Sequence, residues 1–168
     1  MSYLLRVFCQ SPQLISSSEI TDFIRDGYFF EQPPHFQVQP NPEVVKENHW
    51  KSISIQYQTC KRPILLELNL NDPVLQAEIK EIIDIINQSE PFNQLQDLVQ
   101  RLTTTQQVIA IDIDSQGLTD AGWEMLDCLE AYLAKRLSGI IYAPEDGFYD
   151  DQLQPIYHLG TPVSIGSR

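Results

Sequence analysis

Apolar and polar residues alternate in two neighbouring stretches of the chain, and this alternation predicts a β-hairpin. In residues 51–58, Ile53, Ile55 and Tyr57 share one side, and in residues 64–70 every even-numbered position is isoleucine or leucine. Successive side chains of a strand point to opposite faces, and a short polar turn joins the two stretches. The hairpin is therefore predicted to have one buried face and one polar face.

Apolar residues at helical spacing predict four helices. The first begins at Ser16, whose position three residues before Glu19 is typical of a capping box. The second begins with Asp72 as its N-cap, breaks near Pro91 and is followed by a third. The fourth covers residues 120–137, where acidic residues near the start and basic residues near the end match the helix dipole.

These elements predict an α+β fold, a two-layer sandwich in which helices pack on one face of a mixed, mostly antiparallel sheet. Residues 1–158 are predicted to form a single domain and residues 159–168 a loose C-terminal tail. Further strands are expected at residues 3–9, 36–38, 107–114 and 140–143. One shared core is expected to contain Ile53, Ile55, Leu66, Leu68, Ile79, Ile83, Leu126, Leu129 and Leu133.

The second part of the chain is strongly acidic. Residues 1–71 carry six basic and seven acidic side chains, whereas residues 72–168 carry five and sixteen. The formal net charge of −12 repels phosphate backbones and anionic lipids, which bind through lysine and arginine. Nucleic acid and membranes are therefore not expected as partners. The acidic half is expected either to attract a basic protein partner or a cation, or only to keep the protein soluble.

The cysteine pattern and the absence of known motifs narrow the functional classes. Cys9, Cys60 and Cys128 are far apart, which predicts reduced thiols in a cytoplasmic protein rather than disulfides or a zinc site. No stretch of about eighteen apolar residues predicts a membrane-spanning helix. Glycine-rich phosphate loops and nucleophile elbows are absent from the sequence, so no cofactor is predicted.

Asp112 and Asp114 form the sharpest candidate for chemistry. They lie two positions apart in a predicted strand and share one face, and paired carboxylates at a strand end can hold Mg²⁺. Residues 109–114 resemble the hydrophobic strand and Asp-x-Asp motif of haloacid-dehalogenase-type phosphotransferases. The resemblance covers six residues, and the chain departs from the family pattern at Ser115 and Gln116. Because no third ligand can be named, no bound metal is predicted.

Residues 145–151 combine four carboxylates with two aromatic side chains, without any lysine or arginine. Aromatic residues flanked by carboxylates suit a binding hot spot that faces a basic protein. The alternative is a turn whose aromatic residues fold back onto the core. The predicted protein-binding residues are Glu145, Asp146, Phe148, Tyr149, Asp150 and Asp151.

The leading interpretation is a small, soluble, acidic binding protein without catalytic activity, which neutralises or regulates a basic protein partner. In size, acidity and lack of catalytic motifs, the chain is similar in style to small bacterial immunity proteins, although it shares no motif with them. Two alternatives stay open. One is a metal-dependent hydrolase or phosphotransferase that uses Asp112 and Asp114, and the other is a small-molecule-binding regulator that uses the polar sheet face.

Overall fold

The computed structural model describes residues 2–89 and 91–158, which contain eight strands and four α-helices. The predicted tail, residues 159–168, lies outside the described residues. The strands are β1 (Ser2–Cys9), β2 (His35–Gln39), β3 (Ser52–Gln56), β4 (Ile64–Leu70), β5 (Gln107–Asp114), β6 (Gly139–Ala143), β7 (Gly147–Tyr149) and β8 (Pro155–His158). The helices are α1 (Ser17–Asp26), α2 (Pro73–Asn87), α3 (Leu95–Thr103) and α4 (Asp120–Leu137), with a short 3₁₀ turn at Glu47–His49.

All eight strands belong to one sheet in the order β2-β3-β4-β5-β1-β6-β7-β8. Every neighbouring pair is antiparallel, and the predicted hairpin is present as β3 and β4, with Ile55 opposite Ile64. The first strand lies in the interior of the sheet, where Val7 faces Ile109 on one side and Ile141 on the other. The predicted α+β sandwich built on an antiparallel sheet is confirmed.

Helices α1 and α4 cover one face of the sheet. Their apolar stripes, which include Ile20, Ile24 and Leu129, pack with the inward residues of the strands in one large core cluster. The predicted register of the hairpin is correct, because Leu66 is fully buried while its neighbour Glu67 is exposed. A slip of one residue would have reversed these two positions.

Helices α2 and α3 lie against the opposite face, where Ile79 packs in a second core cluster with Phe8 and Phe148. The expectation that all helices share one face, and that Ile79 and Ile83 share one core with the hairpin, is therefore corrected. The physical reason is that β1, β5 and β6 also present apolar residues to this face, among them Phe8, Val108 and Ile140. The polar face was correctly expected for the hairpin, where Ser52 and Ser54 of β3 stay partly exposed.

Side-chain caps begin three of the helices. Oγ of Ser16 accepts a 3.1 Å hydrogen bond from the backbone N–H of Glu19, and Oδ1 of Asp72 accepts one of 2.8 Å from Leu75. Thr119 caps α4 in the same way. These caps satisfy backbone donors that have no partner inside the helix. The first two caps were predicted, which shows how local the signal for a helix start is.

Strands β7 and β8 were not predicted. β7 has three residues and continues the sheet directly after the 143–147 turn, where Gly147 has a φ of +153°. A Cβ at Gly147 would collide with the backbone carbonyl oxygen of Tyr157 on β8. Glycine therefore lets the two strand backbones approach each other at this point.

Candidate functional site

The carboxylates of Asp112 and Asp114 are bound by different groups. Oδ2 of Asp112 lies 2.9 Å from Nη2 of Arg62 in an ion pair. Oδ1 of Asp114 accepts a 3.3 Å hydrogen bond from the backbone N–H of Gln116, and the carboxylate lies over Gly117, where a Cβ would collide with it. Asp112 thus forms an ion pair, whereas Asp114 forms a hydrogen bond within the turn that follows β5.

Asp112 borders a shallow cavity of about 290 Å³ between the sheet and the start of α2. Nε of Arg6 and Oε1 of Glu78 form a 2.6 Å ion pair there. Within residues 2–89 and 91–158, no three His, Cys, Asp or Glu side chains are grouped so that they could hold a metal ion. A charged ligand in this cavity would compete with ion pairs that already exist.

The aromatic residues of the acidic segment 145–151 lie in the core. Phe148 is fully buried in the second cluster, and Tyr149 is 8% exposed and packs in the first. The two rings point in opposite directions because they are successive residues of a strand. Neither ring is available to a partner, so the prediction of an exposed aromatic hot spot is wrong for these two residues.

The acidic residues of the same segment have unequal roles. Asp146 is 7% exposed and accepts a hydrogen bond from the hydroxyl of Tyr149. Oδ1 of Asp150 accepts hydrogen bonds of 2.9 Å from the backbone N–H groups of Gln152 and Gln154, and it thereby organises the turn before β8. Glu145 and Asp151 remain at least partly exposed, so they still contribute negative charge to the surface.

A cavity of about 500 Å³ lies between α1, α4 and the loop after α1, and we call it the α1–α4 pocket. Three aromatic rings line it. The rings of Phe23 and Tyr132 are stacked, with centroids 4.4 Å apart and planes inclined by 24°. The ring of Phe29 lies 6.4 Å from that of Phe23 at 44°, and it rests on Gly27, where any side chain would collide with it. The rings form an aromatic corner.

Three carboxylates also line the α1–α4 pocket, from Glu19, Asp22 and Asp26. Oε2 of Glu19 accepts a 2.5 Å hydrogen bond from the hydroxyl of Tyr132 and a 3.0 Å bond from Nε of Arg136. Oδ1 of Asp22 lies 3.4 Å from Nη1 of Arg25, which also sits on α1. Asp26 is exposed and forms no ion pair with any residue in the described part of the chain.

Two titratable groups of α4 line the pocket, the Cys128 thiol and the Tyr132 phenol. Burial raises the pKa of the Cys128 thiol, and the carboxylates of Glu124 and Asp127 raise that pKa further. The hydrogen bond to Glu19 is the main cause that raises the pKa of the Tyr132 phenol. Both groups therefore stay uncharged to a higher pH, and the negative charge in the pocket comes from its carboxylates.

A second cavity of about 770 Å³ adjoins the α1–α4 pocket, because the ring of Phe29 lines both. Phe30 and Tyr57 form its aromatic side, with ring centroids 5.3 Å apart. The amide side chains of Gln32 and Gln56 also line it. Nε2 of Gln56 donates to the carbonyl oxygens of Gln58 and Lys61, at 2.7 and 2.8 Å, so its Oε1 remains as an acceptor. The loop after α1 therefore stands between a charged pocket and an amide-lined one.

Sequence reasoning missed the α1–α4 pocket. It assigned Glu19 to the capping box of α1, whereas the side chain reaches across to α4. The spacing of Glu19, Asp22 and Asp26, three and four residues apart, puts the carboxylates on one helix face and was a readable signal. The pairing of that face with Tyr132, more than a hundred residues later, has no local signal in the sequence.

In comparisons with known proteins, no protein-family model, curated protein or solved structure matched this chain. Among the described residues, no helix combines the length and apolar character needed to cross a bilayer.

Proposed function

We propose that this chain is a small acidic binding protein without catalytic activity, which neutralises or regulates a basic protein partner in the cytoplasm. The observation that carries the proposal is the α1–α4 pocket, where aromatic rings and carboxylates lie together on the surface. Aromatic residues supply much of the binding energy at protein interfaces, and complementary charge supplies specificity and fast association.

Other features support a cationic partner. The formal net charge of −12 attracts basic proteins over distances longer than a contact, especially at low ionic strength. Glu145 and Asp151 add exposed negative charge to the predicted acidic segment. The three cysteines are free thiols, and free thiols are usual in the reducing cytoplasm.

The test is affinity purification from the native cell with the wild-type chain and with a pocket variant that carries Asp22→Asn and Asp26→Asn. The matched control carries Glu81→Gln and Asp84→Asn, which remove the same charge from exposed residues of α2. Asp22 forms only an exposed ion pair, and such pairs contribute little to stability. Both double variants are therefore expected to fold.

The expected result is a basic protein that wild type and control retain and the pocket variant loses. With that protein purified, the association rate should fall as salt concentration rises, because charge governs the encounter. Retention of the same protein by both double variants, or recovery of an acidic protein only, would contradict the proposal.

A small-molecule-binding regulator is the second candidate, and the amide-lined cavity beside Phe30 and Tyr57 favours it. A compound bound there would be expected to raise the melting temperature of the chain, because it binds the native state only. The Tyr57→Phe variant would separate a role of the phenol hydroxyl from that of the ring. The phosphotransferase alternative would need Asp112 released from Arg62, and a metal titration tests it below.

A further inference from the structure

The α1–α4 pocket offers a cation two kinds of attraction. The rings of Phe23, Phe29 and Tyr132 line it, and a cation within about 6 Å of a ring centroid is attracted by the electron-rich face of the ring. The exposed carboxylate of Asp26, which forms no ion pair with a described residue, adds a negative charge at the edge of the rings.

We propose that the α1–α4 pocket binds the cationic head group of one basic side chain, lysine or arginine, on the surface of the partner. This inference rests on the proposed function and names the chemical group that the pocket recognises. The cavity of about 500 Å³ is large enough for that side chain, whose apolar stem can lie along Phe29 while its head group meets Asp26.

One carboxylate of the pocket is open to a new cation. Arg136 occupies Glu19 through two N–H groups, with Nε at 3.0 Å from Oε2 and Nη2 at 3.5 Å from Oε1. Asp22 is paired with Arg25. What remains is ring surface and the carboxylate of Asp26. The head group of a lysine and that of an arginine can both use this pair of features.

The adjoining cavity indicates a protein source for the cation rather than a free organic cation. A free cation would use only the charged pocket. A basic residue in a polypeptide has backbone amides on both sides. The amide of Gln32 can donate to and accept from such amides, and Oε1 of Gln56 can accept from them. The two cavities together therefore match a segment of chain that presents one basic side chain.

The experiment is a titration of the full, isotope-labelled chain followed by NMR. The probes are a short glycine-flanked lysine peptide, the same peptide with trimethyl-lysine, with acetyl-lysine or with arginine, and the tetramethylammonium ion. The readout is the chemical shift of the ring protons of Phe23, Phe29 and Tyr132, from which the Kd of each probe is obtained.

We expect the lysine and trimethyl-lysine peptides to shift all three rings with similar Kd values, because methylation keeps the positive charge. The acetyl-lysine peptide should leave the rings unshifted, since acetylation removes the charge. The arginine peptide should bind within about threefold of the lysine peptide, because its guanidinium also meets the rings and a carboxylate. Tetramethylammonium should bind about tenfold or more weakly than the lysine peptide, a difference of about 1.4 kcal/mol.

Variants locate the effect in the pocket. Phe29→Leu should weaken the lysine peptide about tenfold or more, since it removes a ring but keeps apolar volume. Tyr132→Phe keeps the ring and should leave the Kd within about threefold of wild type. A larger increase in Kd would mean that the hydroxyl takes part in binding. Glu81→Gln, on α2, should have no effect. Undisturbed dispersion of the remaining signals shows that each variant is folded.

Three outcomes would overturn the inference. They are equal shifts with acetyl-lysine, an arginine peptide that leaves the rings unshifted, or tetramethylammonium that binds more tightly than the peptide. Should a basic partner still depend on Asp22 and Asp26 while the lysine peptide leaves the rings unmoved, only this inference fails. Should the peptide bind while no basic partner is found, the proposed function fails instead.

Discussion

The hydroxyl of Tyr149 donates a 2.8 Å hydrogen bond to Oδ2 of Asp146, and both residues are buried. The other carboxylate oxygen, Oδ1, is buried with no hydrogen-bond partner among the described residues. The loss of a hydrogen bond to a buried carboxylate with so few partners strongly destabilises the folded state, because the desolvation of the carboxylate is then no longer compensated. The acidic segment is thus tied to the interior through this pair.

Replacement of Tyr149 by phenylalanine should lower the free energy of unfolding by about 1–3 kcal/mol, because it removes the hydrogen bond and keeps the ring. Urea unfolding measures the change. Tyr28→Phe is the control, since Tyr28 is 88% exposed and its hydroxyl should not affect stability. Equal stability of Tyr149→Phe and wild type would mean that water or another group satisfies Asp146.

The double variant Glu145→Gln, Asp151→Asn should slow association with a basic partner by about two- to fivefold at low salt and leave dissociation unchanged. The reason is that these side chains supply charge, whereas Phe148 and Tyr149 are buried and contribute no contact surface. Binding kinetics at two salt concentrations measure both rates. A faster dissociation in this variant would show that the segment makes direct contacts.

Alkaline pH should destabilise the protein through Cys9. Burial raises the pKa of this thiol from 9.0 to about 12. Between these values the unfolded chain loses the thiol proton and the folded chain keeps it, so the free energy of unfolding falls as pH rises, by up to about 1.4 kcal/mol per pH unit. Below pH 9 both states are protonated and the contribution is fully present.

The measurement is urea unfolding of wild type and Cys9→Ala at several pH values from 7 to 11. The variant should lose part of the alkaline slope but not all of it, since burial also raises the pKa of Tyr57 and of Tyr142. Parallel curves for the two proteins would exclude Cys9 as the group responsible.

Millimolar Mg²⁺ or Mn²⁺ should leave the melting temperature of the chain unchanged. Asp112 is already paired with Arg62, and a cation would have to break that pair. A true site at a hundred times its Kd would add about 2.7 kcal/mol to the free energy of unfolding and shift the melting temperature by several degrees. Such a shift, if it vanished in Asp112→Asn, would restore the metal-dependent alternative.

Short-range patterns explain which parts of the fold could be predicted. The cap at Ser16 and the alternation of Ile53 and Ile55 each depend on residues only a few positions apart, so they can be read directly from the sequence. The face on which α2 packs could not be read in this way. The apolar stripe of α2, which includes Leu75 and Ile79, could pack on either face of the sheet. The face that it covers is decided by the apolar residues that β1 and β6 present there, Phe8 and Ile140.

The candidate site was harder to predict for the same reason. Its carboxylates on α1 form a local pattern, but Tyr132 and Arg136 meet them only through the packing of α4 on α1. For Phe148 and Tyr149, the local pattern itself was misleading. Their acidic neighbours suggested an exposed turn, whereas strand pairing buries both rings. Local composition describes a segment, and only tertiary packing decides which of its side chains a partner can reach.

The position of β1 in the sheet has a consequence for synthesis of the chain. Its pairing strands, β5 and β6, come much later in the chain, so β1 leaves the ribosome long before the residues with which it pairs. Closing such long loops is slow, and until then both hydrogen-bonding edges of β1 are open to wrong neighbours. The nascent chain therefore depends on whatever shields Leu5, Val7 and Phe8 in the interval, and its yield in the cell should respond to the supply of chaperones.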